Sequence, residues 1–251
     1  MCMSTTVKKR QPVLSLKPTQ FSVGLLEVEF KTAELRTIGK KSLRKRVDKI
    51  PIPVVVSPWN ELCVVDHHHF LFACWHCGVR KVRIEVVRDF SSNNTTRKKQ
   101  MSYVAFWRKM AKLKYAYLYD QFGQGPRRAL YLPMDIRGMA DDPYRSLAWM
   151  VRKEGGFENS GATFAEFKWA DYFRHKGLLD RHGRKGFHSA VRRGLALARS
   201  PAARALPGYI GKKANTKVKE EEALSRSKYV PRAQKRGFLA TVPLVVTDKQ
   251  K

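Results

Sequence analysis

Between Glu61 and Arg88 the spacing of apolar residues changes period twice, and this succession restricts the fold more than any other stretch of the chain. Cys63, Val64 and Val65 make an apolar run of strand length. Asp66-His67-His68-His69 follows at once and opens a helical pattern, in which Phe70, Ala73 and Cys77 share one face with Leu71 and Cys74 beside it. Gly78 supplies a left-handed stop and Asp66 an N-cap. From Lys81 to Arg88 the period is two: Val82, Ile84 and Val86 face one way, and Arg83, Glu85 and Arg88 lie off that face. Strand, turn, helix, strand reads as a βαβ-like unit, and the apolar stripe of such a helix is buried by lying on a sheet. The fold class is α/β.

The three histidines stand where chemistry is available. The first turn of a helix presents unpaired N–H groups and the positive end of the dipole, both of which attract phosphate. Imidazoles there add donors, and an adjacent Asp can orient one of them or help hold a metal-bound phosphate. Successive residues step by about 100° around a helix, so the three cannot all face the core. Phosphate binding, zinc binding and a structural role with one core histidine all fit this spacing. Cys74-Trp75-His76-Cys77 does not strengthen the zinc reading. This single CxxC lies inside the helix, has no second pair, and places its cysteines on the apolar face near the helix C-terminus. They read as small core residues.

Elsewhere the elements are shorter. Residues 1–16 form a basic arm, Gln20 to Phe30 is apolar around Gly24, and Thr32 to Lys49 is a basic helical stretch. Pro51 and Pro53 precede a β-branched strand at Val54–Val56. Met101–Lys114 is helical in pattern, and Tyr115–Tyr119 alternates like a strand. Asp142-Pro143 opens a helix, and Thr163 with Glu166 makes a capping box for another reaching His175. A basic helix follows at Phe187–Arg199. Asp141, Asp142, Arg145, Arg152, Glu166, Asp171 and Arg174 recur on these later helices and read as caps and ion pairs. The chain divides into the arm (1–16), a domain (17–205) and a basic C-terminal extension (206–251).

Charge narrows the partners. Fifty Lys and Arg against 21 Asp and Glu give a formal net charge of +29, which points to an anionic partner. No apolar run reaches the ~18–20 residues of a bilayer span, so no membrane partner is expected. Four cysteines in 251 residues make no disulfide scaffold and fit a reducing, intracellular compartment. Residues 1–26 lack acids and carry four Lys/Arg, a pattern compatible with an organellar leader and hence the mitochondrial matrix. The charge is densest beyond residue 171. Arg192, Arg193, Lys212, Lys213, Lys217, Arg232, Lys235 and Arg236 are the candidate phosphate contacts. The interleaved Phe187, Tyr209, Tyr229 and Phe238 favour stacking on unpaired bases, and so RNA over DNA.

Several strings together resemble a known family. Pro18-Thr19-Gln20 with Gly24 and Val28, Pro51-Ile52-Pro53-Val54-Val55-Val56, and Val65-Asp66-His67-His68-His69 are similar to the ParB/sulfiredoxin superfamily. Phe106-Trp107, Tyr117-Leu118-Tyr119-Asp120, Asp141-Asp142-Pro143-Tyr144-Arg145-Ser146-Leu147-Ala148 and Phe164-Ala165-Glu166-Phe167-Lys168-Trp169-Ala170-Asp171 narrow the resemblance to its ParB-like nuclease branch, over roughly residues 17–200. The resemblance implies a compact ParB/sulfiredoxin-like α/β (α+β) fold, with a small mixed sheet among helices and basic extended termini. It also implies a nucleotide site, for ATP, ADP or CTP with magnesium, at Asp66, His67, His68 and His69. Glu27 lies near where a serine-kinase relative places a catalytic carboxylate. Phe70 replaces the Arg that often follows the paired histidines, no Cys stands where sulfiredoxins have theirs, and the ParB helix-turn-helix is not recognisable.

Two functions follow. One is a nucleic-acid-binding protein associated with RNA or a ribonucleoprotein, such as an organellar ribosome or its assembly machinery, with ribosomal or other ribonucleoprotein proteins as partners. The other is a nucleotide-dependent phosphotransferase, NTPase or nuclease with Asp66, His68, His69 and Glu27 as its catalytic residues. Fold alone does not choose between them.

Overall fold

The computed structural model describes residues 10–91, 101–179 and 186–211. Lys212, Lys213, Lys217, Tyr229, Arg232, Lys235, Arg236 and Phe238 lie outside the described residues. So do the first nine residues of the arm and most of the polar loop at 91–100.

A five-stranded mixed sheet organises the first part of the chain. Its order is β1 (Arg10–Pro12), β6 (Lys81–Asp89), β4 (Ile52–Val56), β5 (Leu62–Val64) and β2 (Leu16–Pro18). β6 runs parallel to β4 and β5 antiparallel to it, while β2 is parallel to β5 and β1 antiparallel to β6. The helix α3 (His68–His76) therefore joins two strands that flank β4 and point opposite ways. This corrects the βαβ-like reading: the connection is not a crossover between parallel strands.

Side chains alternate across a strand, and both faces of the centre are covered. Ile52, Val54, Val64, Val82, Ile84 and Val86 pack in one core with Val28 and Leu35 of α1 (Leu25–Arg36) and with Leu71, Ala73 and Cys74 of α3. Val55 and Cys63 face the other way, onto Phe106, Trp107 and Met110 of α4 (Tyr103–Lys112). A strand buried on both faces reads as an unbroken apolar run, as at Val54–Val56, whereas β6 is covered on one face and alternates. A third core joins α5 (Pro143–Lys153), α6 (Ala165–His175) and α7 (Phe187–Ala198) through Leu147, Val151, Trp169, Phe173, Ala190 and Val191.

A two-stranded parallel ribbon, β3 (Ser22–Val23) with β7 (Ala140–Asp141), ties the core under α1 and α3 to the helical core. Each of its strands leads into a helix, so the first turns of α1 and α5 are drawn against each other. A Cβ on Gly24 would lie 2.8 Å from the Ser146 backbone nitrogen and 2.9 Å from its Oγ. The absence of a side chain there permits the approach.

Four local expectations are corrected. The basic stretch Thr32–Lys49 is split, because Gly39 takes extended backbone and caps a separate α2 (Lys40–Asp48). Tyr115–Tyr119 is not a strand: apart from one bridge between Gln20 and Tyr117, its alternating tyrosines serve packing, with Tyr117 stacked on Phe167 of α6. No Thr163–Glu166 capping box forms, since Phe164 precedes α6 in the left-handed region and Glu166 is drawn to arginines. Asp66 is not the N-cap of α3. His67 holds that position at φ 65°, and Asp66 Oδ1 accepts its N–H at 2.6 Å.

Candidate functional site

The first turns of four helices meet at one place. His69, in the first turn of α3, accepts the Gly24 N–H at the start of α1 through Nε2, at 3.0 Å. The next two α1 donors also go to side chains from the start of α5: Leu25 N–H to Asp141 Oδ1 at 3.0 Å and Leu26 N–H to Ser146 Oγ at 3.3 Å. From the first turn of α6, Glu166 reaches Arg145 and Arg152 of α5, with closest approaches of 3.4 and 2.7 Å. Orphan N–H groups of α1 that would otherwise face water are thus satisfied by protein.

His68 and His69 are neutral and inward. His68 is buried and its Nε2 accepts the Thr19 N–H at 3.4 Å. Burial above all pushes both imidazoles down to about 3; the neighbouring His69 adds to the effect on His68, and the Arg145 charge to that on His69. His67 and Asp66 are exposed at the rim, while Phe70 is half-buried against the sheet core. Of the four residues of the turn, the structure carries only His68 and His69 inward.

Glu27 joins them. It is buried on α1, its Oε1 pairs with Lys31 Nζ at 2.9 Å, and its Oε2 lies 3.4 Å from His69 Nε2 without a hydrogen-bond donor. Asp141 stands at the rim, where loss of hydration raises its carboxyl to about 6 against the opposing Leu25 N–H bond, with the Asp142 charge adding to the rise. Asp142, by contrast, caps α5 through the Tyr144 and Arg145 N–H groups and pairs with Arg174 at 2.7 Å.

Arg145, which its sequence neighbours place among ordinary helix ion pairs, stands at the centre of this cluster. It is 5% exposed, its guanidinium lies 3.6 Å over the Phe167 ring, and one Nη approaches Glu166. Its Nε and other Nη have no partner among the described residues. Phe167 is stacked by Tyr117 at 3.7 Å, and the Tyr117 hydroxyl donates to Asp171 at 3.1 Å, so the ring beneath the guanidinium is fixed. The available signal was the spacing of Arg145 and Arg152, seven residues apart on one face of a helix whose opening turn is capped by Asp142.

A family model described as "Putative ParB-like nuclease" matches residues 10–175, more than half of the chain and all of this site. The chain belongs to that family. A solved structure, protein Atu1540 from Agrobacterium tumefaciens, is similar to this ParB-like chain at 32% identity and a TM-score of 0.71, over 82% of this chain and 97% of the other. No curated protein matches. The ParB-like fold expected from the sequence is the fold observed. Among the described nucleic-acid candidates, Arg192 and Arg193 are both exposed on α7, and Arg193 donates to the Leu178 carbonyl at 2.6 Å.

Proposed function

We propose that this chain binds nucleic acid and seats one of its phosphates against Arg145, beside Glu27 and His69. The supporting observation is the pair of unpartnered guanidinium nitrogens in a buried site. A buried N–H without a partner costs about 1–3 kcal/mol, more when it belongs to a charged group, and a phosphate oxygen removes that cost through charge-assisted bonds. The nitrogens are shielded from bulk water, so seating a phosphate requires the side chains that cover them to give way. Position 70 carries no guanidinium, and α5 supplies one instead. A family whose description names nuclease activity supports nucleic acid as the source of the phosphate. Phe187 is buried in the helical core and Tyr209 packs against it, so neither is free to stack on a base, which corrects that part of the sequence reading. Tyr229 and Phe238, among the basic residues beyond position 211, support RNA over DNA. Net charge supports ribonucleoprotein partners, and the acid-free first 26 residues support a mitochondrial setting.

A nucleotide fits the same cluster through its phosphates. No group of three His, Cys, Asp or Glu side chains converges among the described residues. Magnesium accompanying ATP, ADP or CTP would then take most of its oxygen ligands from phosphate and water. The chain's own contribution would be to hold and orient the phosphate and to shield it from solvent.

One observation favours turnover over binding alone. Glu27 Oε2 is a carboxylate oxygen without a donor next to a neutral imidazole, the arrangement of a general base with a positioned neighbour. Direct binding of end-labelled RNA and duplex DNA, followed by product analysis on the same samples, tests both readings. Binding weakened at least 10-fold by Arg145→Gln supports the phosphate seat. Cleavage abolished in Glu27→Gln while binding persists supports the enzymatic reading. Binding unaffected by Arg145→Gln contradicts the proposal.

A further inference from the structure

A cleft of about 540 Å³ opens beside the segment that feeds the phosphate site, lined by Phe21, Asp120, Pro126, Arg127, Arg128 and Tyr131. Its chemistry differs from that of the buried cluster. Tyr131 is 66% exposed, and Phe122, Leu130 and Met134 are exposed on the same stretch of chain. Arg127 is held by Asp120 at 2.6 Å, which balances one positive charge with the single acid of the cleft. Arg128 is exposed and makes no ion pair among the described residues, so the lining carries an uncompensated cation next to an open phenol ring.

Phe21 is three residues before Gly24, a separation of about 10 Å in extended chain. Gln20 bridges Tyr117, whose ring stacks on the Phe167 that supports Arg145. The segment from Gln20 to Glu27 therefore contributes to both the cleft and the Arg145 seat. We infer that the cleft receives an unpaired base of a single-stranded nucleic acid, stacked on Tyr131 with Arg128 on the adjoining phosphate. This rests on the phosphate seat proposed above and assigns its substrate class. A duplex keeps its bases inside the helix and cannot offer one to a ring in a cleft, whereas a single strand can do so regardless of sequence. A protein partner would match the exposed apolar rim, but it gives no role to the free Arg128 charge or to continuity with an anion seat.

The test is fluorescence anisotropy on the full chain with a labelled single-stranded RNA 12-mer and a labelled 12-base-pair duplex. It is run at about 0.3 M salt, where non-specific phosphate attraction is reduced. Tyr131→Ala is a surface change that leaves the cores intact. It should weaken single-strand binding about 5- to 150-fold, the range expected when one base stack is removed. It should leave duplex binding unchanged, and Tyr131→Phe should restore the single-strand affinity. Arg128→Ala should reduce single-strand affinity and its salt slope together. Equal weakening on strand and duplex, or no weakening with Tyr131→Ala, overturns the inference. If Arg145→Gln weakens binding while Tyr131→Ala does not, the cleft fails and the phosphate seat stands. If the wild-type chain binds neither probe, both fail.

Discussion

The Oε2 atom of Glu27 lies 3.4 Å from Nε2 of His69, and that nitrogen already accepts the Gly24 N–H at 3.0 Å. An acceptor nitrogen and a carboxylate oxygen thus face each other in a buried site, with no donor between them. Such a pairing costs stability and is retained where a site must take up a proton or a donor.

Glu27→Gln removes the charge and keeps the shape. The variant should be as stable as the wild type to within about 0.5 kcal/mol, or more stable, since it relieves a buried carboxylate oxygen without a donor. Any hydrolytic turnover should fall about 10²- to 10⁴-fold. Thermal melting alongside a turnover assay checks both halves. A large drop in stability would show that the Lys31 pair, rather than chemistry, explains the residue.

Stability should fall as the solution is acidified from pH 6.5 toward 3. His68 and His69 bind their protons at about 3 in the folded chain against a usual 6.5, so through this window the unfolded chain holds more protons. Their contribution is complete above 6.5 and disappears as pH falls toward 3. Asp141 acts in the opposite sense between 3.8 and about 6, because its raised carboxyl favours the folded chain at low pH. The raised carboxyls of Asp142 and Glu29 act with Asp141, and the lowered His76, Asp120 and Asp135 act with the two histidines, whose shifts are the largest in this window and set the sign. Unfolding followed at several pH values should therefore show a positive slope of stability with pH, reduced in His68→Gln.

Gly24→Ala places a methyl group against the Ser146 backbone. With the approach at 2.8 Å, the packing of α1 on α5 must open, at a cost of about 1–3 kcal/mol and several degrees of Tm. A Tm equal to that of the wild type would mean that the two helix starts do not touch in solution.

Ending the chain after Gly211 keeps the packed cores, including the bond from Trp169 Nε1 to the Pro207 carbonyl at 2.8 Å. It removes Lys212, Lys213, Lys217, Arg232, Lys235 and Arg236. Each phosphate that these side chains neutralise adds about 0.7–0.9 to the log–log salt slope, so the slope should flatten by several units if all six engage RNA. RNA titrations at a series of salt concentrations measure this slope. An unchanged slope would place the interface before residue 212.

Much of the first core was readable from period and punctuation. The alternation of β6, the apolar face of α3 and the Asp142-Pro143 opening of α5 are local patterns, and local patterns survive folding. The site was less readable because its contacts are long-range: 45 residues separate Gly24 from His69, and 116 separate Leu25 from Asp141. Arg145 looked like one more helix-surface charge, since nothing in its neighbours in sequence shows that Phe167 and Glu166 will bury it. Tyr115–Tyr119 misled for a related reason. Alternation reports that one side is covered, and here the cover is α6 rather than a neighbouring strand.

The phosphate seat is most directly tested by the Nε–H resonance of Arg145 in ¹⁵N NMR of the whole chain, assigned by its disappearance in Arg145→Gln. Adding a short single-stranded RNA should shift that resonance strongly, in step with the fraction bound, as the guanidinium gains a phosphate oxygen as its partner. If RNA binds and shifts surface arginines such as Arg192 while the Arg145 resonance stays where it is, the phosphate is held elsewhere and the proposed seat is wrong.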